Sequence, residues 1–146
     1  MSKMLTQRNK VVVHYSDGTL LKGYTHDFLP DKALFHVNTA LEPGVGTTHE
    51  VKLSDLKAVF FVKTIDGNPA YRERNVFEDV NAKALHGIKI KVVFRDGETV
   101  RGISMGYSKT KKGFFVLPVD LQSNNERIFV VTGATTEIVV GPDAEK

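Results

Sequence analysis

Four histidines, His14, His26, His36 and His49, lie within the first fifty residues, and imidazoles can ligate a metal ion or carry protons. None has the His-x-x-x-His or His-Glu-x-x-His spacing that aims two rings at one ion. His14 and His36 also fall out of phase with the apolar positions around them, so the histidines are expected to be solvated and metal-free; His86 stands apart. The parts of nucleophilic chemistry are missing too. The chain has no Cys, no Gly-x-Ser-x-Gly elbow and no Gly-rich phosphate loop, and Gly44-Val45-Gly46 after Pro43 reads as a flexible turn. Carboxylates are scattered singly, without the positioned partner that general acid or base catalysis requires. The expectation is a protein without catalysis, metal or cofactor.

Binding chemistry is better represented. Lys109, Lys111 and Lys112 cluster just ahead of Gly113-Phe114-Phe115, and Ser123-Asn124-Asn125-Glu126-Arg127 follows. Ammonium, amide and guanidinium donors in such company suit an anionic or peptide ligand. The plainer account makes the lysines a solvated loop tip and the Asn pair a turn, since Asn tolerates positive φ. Net charge does little to favour a polyanion: 20 Lys and Arg against 17 Asp and Glu leave only +3. The excess sits in residues 1–10, with Lys3, Arg8 and Lys10 and no acid, and in residues 88–127, with 8 basic and 4 acidic side chains. Phe60-Phe61 and Phe114-Phe115 are adjacent pairs whose members face opposite ways in a strand. One of each belongs to a core, and the two outward rings are candidates for an exposed contact or for meeting each other between two halves of the molecule.

These residues need elements to hold them. At 146 residues, 41% hydrophobic and 25% charged, the chain has the length and composition of an ordinary globular domain. No apolar run reaches membrane-spanning length and the polar start lacks a signal-peptide core, so a cytoplasmic location is expected, with no membrane partner. Val11 to Gly23 lies over Ile90 to Gly102 at a constant offset: Asp17, Gly18 and Gly23 fall on Asp96, Gly97 and Gly102, each 79 residues on (96 minus 17). The same register puts Phe35 on Phe114, Val37 on Val116, Val51 on Val130 and Val59 on Ile138. Alternating apolar residues on both sides of Asp-Gly predict β-hairpins, with a type I′ turn taking positive φ at both central residues. Gly23 and Gly102, isolated in the second strands, predict a bend, bulge or close backbone approach.

In each copy, strands are expected near 11–15, 19–28, 33–38, 49–53 and 58–63, and near 88–94, 98–107, 113–118, 126–131 and 135–140. Five short curved strands in about 55 residues describe a small barrel. The expected organisation is a mainly β chain: a flexible basic leader at 1–10, a first barrel at 11–63, a polar connector at 64–87, a second barrel at 88–141 and a tail at 142–146. Asn75 and Glu78 form a capping-box pattern, and Gly87 is placed as a C-cap, predicting one short helix near 76–85.

The pattern hydrophobic-x-hydrophobic-x-x-x-Asp-Gly-x-x-x-x-Gly, over 11–29 and 90–108, resembles the first motif of the Sm-like fold, which includes bacterial Hfq and the Lsm proteins. The resemblance implies two tandem five-stranded Sm-like or SH3-like barrels and, for that family, RNA binding. The Asn that the family's RNA loop carries is not in place in Asp31-Lys-Ala-Leu-Phe or in Tyr107 to Phe115. Gly113-Phe-Phe followed by Ser123-Asn-Asn-Glu-Arg127 also resembles an uncharacterised bacterial family, which implies a bacterial cytoplasmic origin. The leading expectation is a binding or assembly module for protein–protein interaction through strand edges or exposed aromatics, with a homo-oligomer as an open option. The alternative is RNA or single-stranded DNA binding through the lysine loop, with Asn124, Asn125 and Arg127 beside it.

Overall fold

The computed structural model describes residues 8–42, 44–67, 87–120 and 122–145. The expected helix at 76–85 and most of the basic leader lie outside the described residues. Among the described residues there are ten strands: β1 (Asn9–Tyr15), β2 (Leu20–Thr25), β3 (Leu34–Asn38), β4 (Thr48–Lys52), β5 (Leu56–Val62), β6 (Ile88–Phe94), β7 (Thr99–Met105), β8 (Gly113–Pro118), β9 (Asn125–Val131) and β10 (Thr135–Val140). They form one sheet in the order β10-β6-β7-β8-β9-β5-β1-β2-β3-β4, antiparallel throughout. The chain is therefore mainly β. Among the described residues the only helical turns are short 3-10 segments, and no helix is long and apolar enough to cross a membrane.

Each half runs in the same strand order, fifth-first-second-third-fourth, and the halves join where β5 pairs with β9. β1 starts at Asn9, two residues ahead of the expected start, and β2 ends at Thr25 rather than near 28 because the chain turns off to form the loop that carries Asp27 and Phe28.

Both hairpins form where expected, but with a different turn. Among the described residues none other than Gly has positive φ, which excludes type I′, and Gly18 and Gly97 sit at φ 94° and 92°. Gly18 N donates to Tyr15 O at 3.0 Å and Tyr15 N to Thr19 O at 2.9 Å, with Gly97 N to Phe94 O at 2.9 Å and Phe94 N to Glu98 O at 2.8 Å in the second hairpin. These are three-residue loops closed by a glycine bulge. Asp17 and Asp96 serve through their side chains: Asp17 Oδ1 accepts from Thr19 N and Asp96 Oδ1 from Glu98 N, both at 2.9 Å. A carboxylate that caps the following amide does not need the left-handed region.

Two large apolar cores lie along the sheet, each borrowing from the other half, beside a small cluster of Ile103, Val119 and Ala144. The N-terminal core of Val11, Val13, Phe35, Val37, Val51, Leu56, Val59 and Phe61 also contains Phe129 and Val131 from β9. The C-terminal core of Ile90, Val92, Phe94, Phe114, Val116, Ile128 and Val130 also contains Ala58, Phe60 and Val62 from β5. Successive side chains of a strand face opposite ways, so β5 and β9 feed one core from each face. The outer strands do not: β4 carries Glu50 and Lys52, and β10 carries Glu137, charges that discourage edge pairing.

The strand glycines mark close approaches. A Cβ on Gly23 would stand 2.5 Å from Asn38 O, and one on Gly102 would overlap Leu117 O and Val116 Cγ1. Gly102→Ala and Gly23→Ala should each destabilise the fold by about 1–3 kcal/mol, the cost of overpacking. Gly133→Ala, where nothing lies within 4 Å, should change stability little. Urea unfolding of the three variants checks this, and an unchanged midpoint for Gly102→Ala would contradict the close approach.

Candidate binding cleft at the junction of the two halves

Joining the halves through β5 and β9 brings the same end of both against a shared cleft of about 1010 Å³. One wall is the β2–β3 loop, with Pro30, Asp31, Lys32 and Ala33; the other is the β7–β8 loop, with Gly106, Thr110, Lys111 and Lys112. Ser16 and Arg95, from the two hairpin turns, complete the rim, and Leu53, Leu56, Phe114, Phe115, Phe129 and Val131 line the interior. The walls correspond at the offset of 79 residues seen in the hairpins: Ser16 to Arg95, Asp31 to Thr110, Lys32 to Lys111 and Ala33 to Lys112. At these four pairs the C-terminal wall has three cations and the N-terminal wall one, beside an acid.

Backbone bonds fix both walls. Leu53 N donates to Ala33 O at 2.8 Å, and Thr132 N to Lys112 O at 2.9 Å. Thr132 Oγ1 also donates to Lys111 O at 3.1 Å. Arg95 Nε donates to Gly133 O at 3.0 Å, which orients the guanidinium along the rim. Gly113 lets the lysine loop run close beneath the floor, since a Cβ there would collide with the Phe129 ring.

Behind the cleft, Phe28 is the hub of an aromatic cluster. Its ring meets Phe35, Phe61, Phe115 and Phe129 with centroids 4.9, 5.4, 6.1 and 5.0 Å away, mostly edge to face. Phe61 and Phe115 do meet between the halves, 5.7 Å apart. The Arg127 guanidinium covers both, 4.4 Å from one ring and 4.7 Å from the other.

Phe28 is placed by Asp27. One carboxylate oxygen accepts from His36 N at 2.9 Å and Thr25 Oγ1 at 3.2 Å, and the other faces His36 Nδ1 at 2.7 Å. Partial burial pushes the Asp27 pKa up, but the bonds from the His36 ring and amide outweigh it, and the net result lies below the ordinary 3.8.

On another part of the junction, Lys57 of β5 bridges to Asp96 at 2.7 Å and to Glu98, both in the second hairpin, with its ammonium 4.8 Å from the Phe94 ring. Burial alone would lower the Lys57 pKa; the two carboxylates reverse the sign and raise it. His14 stacks on Phe60 at 4.2 Å, and burial, then the Lys57 charge, hold its pKa below 6.5.

The expected site residues thus divide. Lys111 and Lys112 line the cleft, while Lys109 is exposed on the same loop without lining it. Asn124 joins the halves: its Oδ1 accepts from Thr64 N at 3.0 Å and Thr64 Oγ1 at 3.1 Å, and its Nδ2 donates to Thr64 O at 2.9 Å. Asn125 stands opposite Val62 in the β5–β9 ladder, and Arg127 caps the aromatic cluster. Neither Asn124 nor Asn125 uses positive φ. Of the histidines expected to be solvated, His14 instead packs on Phe60, while His36 keeps a side chain 43% exposed and pairs with Asp27. Among the described residues, no group of three His, Cys, Asp or Glu side chains could hold a metal ion. Lys32, Arg95, Asp27 and Phe28 escaped the sequence reading; only the match of Lys32 to Lys111 at the common offset pointed to one of them.

An all-β chain with two halves of one strand order and a cleft at their junction is the class that fold and site define. It belongs to the family of unknown function DUF6982, which it matches over residues 7–141. No curated protein and no solved structure matches it.

The Asp27 cluster has a pH signature. A carboxyl whose folded pKa is depressed adds stability that is present above its unfolded pKa and lost as pH falls through the folded value. Asp27→Asn should therefore lower stability near neutral pH by up to about 1 kcal/mol, as for a bond to a partly solvated charge. It should also shallow the loss of stability below pH 3.8. Urea titrations across pH 2.5 to 7 test both; an acid limb as steep as wild type would remove Asp27 from the account.

Proposed function

We propose that the chain is a non-enzymatic binding module of the bacterial cytoplasm, two tandem Sm-like or SH3-like small barrels whose junction cleft holds a segment of a partner protein. The common strand order of the halves and the 79-residue offset support the barrel reading. The observation that carries the function is the cleft itself. At about 1010 Å³ it lies at the upper end of the usual range for ligand sites, it is built from both halves, and it combines an apolar interior with a polar rim. That combination suits a side-chain-bearing chain segment.

Single-stranded nucleic acid is the weaker reading. Such ligands combine a basic groove with aromatic faces on which bases stack. Here Phe114 and Phe129 are 3% and 0% exposed, and Arg127 already covers Phe115.

Random-peptide display on the immobilised protein tests the proposal, with Ala33→Trp filling the cleft as counter-selection. Peptides should be enriched on wild type and lost on the variant. Enrichment of no peptide, with sub-micromolar binding of oligouridylate, would overturn the proposal in favour of nucleic acid.

A further inference from the structure

We infer that the cleft selects acidic segments with an apolar side chain among them; this rests on the reading of the cleft as a protein-binding site and adds the chemistry of the ligand. Four cations, Lys32, Arg95, Lys111 and Lys112, line it against the single acid Asp31. None of the four takes part in an ion pair among the described residues. Elsewhere the cations Lys57 and Lys89 are paired with carboxylates, Lys57 with two and Lys89 with Glu145 at 2.6 Å. A row of unpaired cations around one concavity raises the local concentration of anions and disfavours cationic partners.

The interior then distinguishes an acidic peptide from other anions. Pro30 and Ala33, both exposed on the N-terminal wall, present apolar surface in the cleft, where a Leu, Ile or Phe side chain of the ligand would leave water. Inorganic phosphate has nothing to place there. A nucleobase would need a free ring face, which the closely packed phenylalanines do not supply. The walls also read the ligand's direction. Arg95, Lys111 and Lys112 stand on the C-terminal side, and Lys32 beside Asp31 on the other, so carboxylates are expected on one flank of the apolar anchor more than on the other.

A charge-swap selection tests this. The same random peptide library is displayed on wild type and on the double variant Lys111→Glu with Lys112→Glu, both exposed positions whose replacement leaves the cores intact. Wild type should enrich peptides with two or more carboxylates beside an apolar residue. The double variant should lose those peptides by at least about tenfold in Kd, as for removal and reversal of close charge pairs, and enrich neutral or basic ones. Lys22→Glu and Lys52→Glu, exposed and outside the cleft, should retain the wild-type consensus. Enrichment of neutral or basic peptides on wild type, still blocked by Ala33→Trp, would overturn the acidic ligand and leave the protein-binding cleft standing. Failure to enrich any peptide would overturn the binding reading itself. An acidic consensus unchanged by the double variant would place the charge recognition elsewhere and also contradict the inference.

Discussion

The pairing of β5 with β9 is the constraint on which the rest depends. Two strands buried on both faces cannot be left with one face in water: Phe60, Phe61, Ile128 and Phe129 are all at most 6% exposed. Burying a side chain of this size is worth roughly 1.5–3 kcal/mol. A half of some 55 residues buries only about 60% of its unfolded surface and is marginal alone. Each half completes the other's core, and the ladder from Ala58–Val130 to Val62–Asn125 sets their relative placement. The cleft follows from that placement, because the two hairpin turns, the two following loops and the 3-10 turns Leu53–Asp55 and Thr132–Ala134 come to face one another across it.

Polar groups then fix the junction where apolar contact alone would leave it free to slide. Asn124 holds Thr64 at one end of the ladder, Arg127 lies over Phe61 and Phe115, and Lys57 reaches the acids of the second hairpin. Asn124 to Thr64, Arg127 to Phe61 and Lys57 to Asp96 link positions 39 to 66 residues apart (96 minus 57, 127 minus 61). Buried or half-buried charge with well-placed partners contributes geometric specificity at small net gain in stability. Backbone bonds from Leu53 N to Ala33 O and from Thr132 N to Lys112 O tie both cleft walls down, which lowers the ordering cost of binding.

Much of the fold was legible because it is local. Alternating Val11, Val13 and Tyr15, and Ile90, Val92 and Phe94, announced their strands, and Asp-Gly announced both hairpins. Gly23 and Gly102 predicted a bend, a bulge or a close approach, and the last is what the structure has at both. The turn type was misjudged because Asp17 and Asp96 cap the next amide instead of entering the left-handed region, a choice made by side-chain geometry that dipeptide preference does not encode. The cleft was half legible: Lys111 and Lys112 stood out as a cluster, but Asn124 and Arg127, near them in the chain, serve the junction. Nothing local joins Lys57 to Asp96 or Phe28 to Phe129. The one missed signal lay in Ala58 to Val62 and Ile128 to Val131, whose unbroken apolar runs are those of strands covered on both sides.

The claim that these two strands make one structure of both halves is open to a direct measurement. Native-state hydrogen exchange reports opening free energies amide by amide. The backbone amides of Val59, Phe61, Phe129 and Val131 should exchange only through global unfolding, with the same free energy and denaturant dependence as the central amides of β1 and β7. Exchange of β1, β2 and β5 through a separate opening that leaves β6 to β9 protected would show two independent halves and contradict the shared core.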